Sequence, residues 1–84
     1  MSAARPVYLE LVDFLAAGTT PEALVRFRPS EEVQRRVSDL IEGRRNGVLS
    51  TEEESELEDF LQLEHILILA KAQARRHLSF AERH

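Results

Sequence analysis

Apolar positions recur at helical spacing in four stretches of the chain, and each stretch is bounded by residues that favour helix ends. In the first, Val7, Leu11, Phe14 and Leu15 repeat every three or four residues, with Tyr8 and Val12 widening the stripe and Pro6 suited to a first helical position. The VYLELV piece alternates briefly as a strand would, but its continuation through Phe14 and Leu15 keeps the helical period. Gly18 ends this segment. Thr20-Pro21 then supplies an N-cap and a first-turn proline for PEALVRF, which Pro29 closes because a proline drives the residue before it away from helical conformation. Ser30 caps a third segment with Val33, Val37, Leu40 and Ile41 on one side and Glu31→Arg35 and Glu32→Arg36 pairs on the other. Asn46-Gly47 stops it. Ser50 with Glu53 three residues on forms a capping box, and Glu52, Glu53 and Glu54 all fall in the first turn, where the helix dipole favours negative charge. The pattern predicts helices over 6–17, 21–27, 31–46 and 51–78 in a single all-α domain, residues 1–84, with no strand.

A fourth helix of that extent is about 40 Å long, whereas the third reaches only about 24 Å. The short GVLS connection makes the two an antiparallel helical hairpin within a small helical bundle, with the third helix along the first half of the fourth. The second half is left for the first helix, a second protomer or another protein. On a helical wheel Leu57, Phe60, Leu61, Leu67, Ile68 and Leu78 share one arc, with Leu63 at its edge, and form the expected core stripe. Glu64 and Lys71 project into the middle of that arc and Arg75 lies there one turn later, while Ile66 and Leu69 point to the opposite side.

Each of these features has a plain reading: a solvated or snorkelling Glu64, and single apolar residues scattered on a surface. The other reading is an interface. Leu57, Phe60, Leu61, Leu67 and Ile68 bind the helices together, Ile66 and Leu69 extend the contact to a second chain, and Glu64 sets register by meeting Lys71 or Arg75. Size favours the second, because a chain this short buries only about 60% of its unfolded surface. The bundle is therefore expected to be completed by dimerisation.

Charge changes this picture only once it is placed along the chain. The net charge of −4 is uneven: residues 50–64 carry −7 and residues 65–84 carry +3, while the remainder balances. There is no cysteine, which excludes disulfides and thiolate chemistry. The longest apolar run, Ile66–Ala70, falls far short of the roughly 20 residues of a membrane span, and MSAARPVYLELVDF carries Glu10 and Asp13 where a signal peptide is uniformly apolar. A cytoplasmic location is the expectation.

Candidate chemistry is sparse. His65 has Gln62 three residues before it, where the Glu-x-x-His pattern of metal-binding bundles requires glutamate, and Glu58 lies two turns away, about 10 Å. His77 and His84 fall in RRHLSFAERH, a terminal segment expected to fray. Ser30 and Ser50 are helix caps, and TEEESELED reads as a solvated helix start. No catalytic, metal or cofactor-binding residue is expected, and an enzyme is the least favoured class. Arg35, Arg36, Arg44, Arg45, Arg75 and Arg76 could contact phosphates if they shared a face, but Arg35 and Arg36 have acidic neighbours and no aromatic platform is interleaved. A DNA-binding regulator using the C-terminal basic segment and a purely structural dimer stand as alternatives.

The phrases AAGTTPEALVRFRPSEEVQRRVSDLIE and RRNGVLSTEEESELEDFLQLEHILILAKAQAR resemble a widespread family of small bacterial proteins, numerous in cyanobacteria. Its pattern is a Pro-Glu start, a Phe-Arg-Pro-Ser stretch, and a Leu-Ser/Thr-Pro-Glu-Glu capping segment before a long helix containing Glu-His. The likeness runs from about residue 8 to residue 76, and departs at Thr51, where the family often has proline. Members are often encoded beside HNH-type nuclease-like genes, an arrangement like that of toxin–antitoxin pairs. The resemblance therefore implies an antitoxin-like interaction module with a basic nuclease-like protein as partner, whose charge would complement residues 50–64. It implies no catalytic residues.

Overall fold

The computed structural model describes residues 5–82. They form four helices, α1 (Tyr8–Ala16), α2 (Pro21–Arg26), α3 (Glu31–Arg45) and α4 (Thr51–Glu82), with no strand among the described residues. The fold is all-α, with a long C-terminal helix.

The helix starts follow the capping chemistry of the sequence. Thr20 Oγ1 accepts from the Ala23 N–H at 3.1 Å and Ser30 Oγ from the Val33 N–H at 3.2 Å, each satisfying a first-turn donor that has no partner within its helix. At α4 the capping box is complete: Ser50 Oγ accepts from the Glu53 N–H at 3.1 Å, and Glu53 Oε1 accepts from the Ser50 N–H at 2.9 Å. α3 ends at Gly47, whose φ of 72° lies in the left-handed region open to glycine. Two ends differ from expectation by more than one residue. Pro6 stands before α1 rather than inside it, its carbonyl accepting from the Leu9 N–H at 3.1 Å. α4 continues past 78 to Glu82, because nothing in LSFAE interrupts a helix. At about 1.5 Å per residue it is about 48 Å long, and it sets the 53 Å long dimension of the molecule.

Val7 and Leu11 of the α1 segment, Leu40 of α3, and Leu57, Phe60 and Leu67 of α4 form the buried core. α2, only six residues long, packs along the second half of α4. Thr20, Pro21 and Leu24 line a shallow groove with Ala70, Ala74 and His77. The sequence pattern leaves this half of α4 to the first helix, a second protomer or another protein, and the structure sets α2 there instead. Two features favour it there. Ala70 and Ala74 are small enough for a close helix approach, and Phe27, at the C-terminal end of α2, stacks on Phe14 with ring centroids 4.1 Å apart.

Candidate interaction surface of the long helix

Two faces of α4 differ in what covers them. On the inner face Leu57, Phe60, Leu67 and Ala74 are buried, with Glu64, Lys71 and Leu78 half-buried between and beyond them. These positions alternate in steps of three and four, a seam like that of a coiled coil. Ala74 was missed by the sequence reading, although it lies seven residues after Leu67 and so shares its register. Leu61 is half-buried and packs against the core. Ile68, placed on the core stripe by the wheel, is instead 57% exposed. The neighbour of α4 changes from α3 to the short α2 along its length, and the narrower contact centred on Leu67, Lys71 and Ala74 does not reach Ile68.

The polar residues of this seam are also resolved. Lys71 Nζ donates to the Phe27 carbonyl at 2.6 Å, placing a cation at the negative end of α2 and satisfying a carbonyl that α2 cannot bond within itself. Lys71 is thus engaged inside the chain, by the second helix, rather than meeting Glu64 across a second protomer or the first or third helix as expected. Glu64 makes no ion pair among the described residues, and Arg75 is exposed.

The acidic start of α4 is not simply solvated. Glu56, its side chain only 16% exposed, accepts from the Val7 N–H through Oε2 at 3.0 Å and from the Arg36 guanidinium through Oε1 at 3.2 Å. One carboxylate therefore ties α3 and α4 to the start of α1, which has no side-chain cap of its own. Arg36 also lies 3.8 Å from Glu53, and Arg44 pairs with Glu58 at 3.3 Å. Arg36 was expected to pair with Glu32 within α3, and Arg35 with Glu31. Neither pair forms, because Glu53 and Glu56 on α4 are within reach of Arg36 and are held by the fold, whereas a same-helix pair is weak. No local periodicity marks Glu56, whose partners lie 20 and 49 residues away.

The outer face is open. Ile66 and Leu69 are 54% and 58% exposed, Gln62, His65, Gln73 and Arg76 beside them are exposed too, and Ile68, 57% exposed, lies on the flank. Leu61, Gln62, His65 and Ile66 line a shallow depression on it. His77 lies on the helix, and His84 is outside the described residues. No group of three or more histidine, aspartate and glutamate side chains that could hold a metal occurs among the described residues, and no helix there is long and apolar enough to cross a membrane. No family model matches the chain, and no curated protein or solved structure is detectably similar to it.

Proposed function

We propose that this protein is a non-enzymatic interaction module that self-associates through the outer face of α4. The observation that carries the reading is the pair Ile66 and Leu69, each more than half exposed on one side of a rigid helix whose inner face is already packed, with Ile68 exposed on its flank. Isolated surface leucines are ordinary, but large aliphatic side chains at i and i+3, as Ile66 and Leu69 are, adjoin on a helix surface and form a patch of the kind that marks contact sites. Burying them removes apolar surface from water at about 25 cal/mol per Å².

Sedimentation at tens of micromolar tests it. The native chain is expected to run as a dimer and Leu69→Lys as a folded monomer with unchanged helicity. A native monomer across that range overturns the reading.

A second protein partner fits the same module. Glu52, Glu54 and Asp59 stay exposed at the acidic end of α4 and make no ion pair among the described residues, in contrast to Glu53, Glu56 and Glu58. Such a surface suits a basic protein, and the family resemblance gives that partner as nuclease-like and the role as antitoxin-like. Co-purification with the product of the neighbouring gene tests this part, and a Glu52→Lys, Glu54→Lys double variant is expected to lose that partner while remaining a dimer.

A further inference from the structure

The outer face of α4 carries more than an apolar patch. Asp59, Gln62, Ile66, Leu69, Gln73 and Arg76 follow one another in steps of three and four, and all six are exposed. This is a second seam of coiled-coil spacing, separate from the buried one, with Gln73 at the rim of the groove between α2 and α4.

We propose that the seam pairs with its own copy in antiparallel orientation, about a two-fold axis passing beside Leu67. The inference rests on the self-association argued above. The order of residue types along the seam is what assigns the direction. With the copies antiparallel, Ile66 meets Leu69 of the second copy at the centre, Gln62 meets Gln73 in the next layer, and Asp59 meets Arg76 in the layer beyond. The two-fold axis repeats each contact, so a central apolar block is flanked on both sides by an amide pair and then by an ion pair. Every residue finds a chemically matched partner.

With the copies parallel, each residue would meet itself. Asp59 would face Asp59 and Arg76 would face Arg76, and the −7 segment at residues 50–64 would lie along its own equivalent. Like charges opposed in a helical seam are destabilising and are a common means of excluding a wrong partner. Antiparallel pairing instead lays the acidic half of α4 along the basic stretch of Lys71, Arg75 and Arg76. Over residues 59–76 the contact would be about 26 Å long.

The absence of cysteine makes the direction measurable by disulfide formation. Single variants Gln62→Cys and Gln73→Cys, oxidised separately, are expected to stay unlinked, and a mixture of the two is expected to give a 62–73 linked dimer. Linking of Gln62→Cys to itself would show a dimer of the wrong direction and overturn the antiparallel seam while leaving self-association intact. No linking in any sample together with sedimentation as a monomer would remove both readings. A dimer by sedimentation with no linking would place the contact on another face and overturn the seam alone.

Charge exchange gives an independent measurement. Asp59→Arg and Arg76→Asp should each weaken the native dimer by about tenfold, since two exposed pairs become two repulsions. The double variant carrying both exchanges restores opposite charges across an antiparallel seam and should recover dimerisation. Across a parallel seam it would leave like charges opposed, so failure to recover, in a protein of unchanged helicity, counts against the proposal.

Discussion

The two halves of α4 bury their apolar residues to very different extents. In the first half Leu57 and Phe60 lie in the core, Glu53, Glu56 and Glu58 meet arginines of α3, and Val7 of the α1 segment is tied down by Glu56. In the second half the partner is a helix of six residues, Leu67 and Ala74 are buried, and Ile66, Ile68 and Leu69 are left outside. The half richest in charge is the more completely integrated, and the half richest in aliphatic side chains is the more open. Hydropathy alone would order them the other way. What decides is how many elements the chain can bring to each half: α1 and α3 converge on the first, while only α2 is set against the end of the second.

The sharpest way to test that contrast is a matched pair of truncations. Leu57→Ala removes a fully buried side chain and is expected to cost about 2–5 kcal/mol, the sum of lost transfer energy and an unfilled cavity. Leu69→Ala, 58% exposed, should change the stability of the dilute monomer by no more than about 0.5 kcal/mol while weakening self-association. Urea denaturation at submicromolar concentration separates the two. An equal loss for both would mean that Leu69 is covered within a single chain.

The polar ties give a second, smaller contrast. Glu56→Ala leaves the Val7 N–H and the Arg36 guanidinium without their acceptor at a half-buried junction, and about 1–3 kcal/mol of destabilisation is expected. Glu56→Gln keeps an amide oxygen for Val7 and should recover part of it. In the second half Lys71→Met loses the bond to the Phe27 carbonyl but adds apolar contact at the seam, so its cost should fall below that of Glu56→Ala. The reverse order by chemical denaturation would place the main polar fastening of the fold at α2 instead of α1.

These residues also divide what could be read in the sequence from what could not. Thr20, Ser30, Ser50 and Glu53 were legible because a cap acts on a backbone N–H within three residues, so spacing alone carries the geometry. The exposure of Ile66 and Leu69 was legible as well, since they fall opposite the stripe. Ile68 was misplaced because a wheel assumes one neighbour along the whole helix, and here the neighbour changes. Glu56 and Lys71 were opaque in another way. Their partners, the Val7 N–H and the Phe27 carbonyl, are backbone groups, which carry no signature of residue type.

The smallest effect concerns the start of α4, where the capping box and the ion pairing with α3 share one group. The Glu53 carboxyl is held below its ordinary value of 4.5, chiefly by the hydrogen bond it accepts from the Ser50 N–H, with the nearby Arg36 adding to the effect and burial opposing it. A group whose value is lowered by folding favours the folded state when ionised. Its contribution is therefore fully present above pH 4.5 and is lost as the pH falls through the lower value that it has in the folded chain. Glu53→Gln keeps an acceptor at the same position of the capping box, so the helix start survives, but it cannot ionise. The native chain should be the more stable of the two at neutral pH, and the gap should close as the pH is taken below 4.5. Denaturation midpoints of both chains across that interval measure it. A gap that stayed constant would show that the oxygen acceptor alone matters and that the charge on Glu53 contributes nothing to the start of the best-packed half of α4.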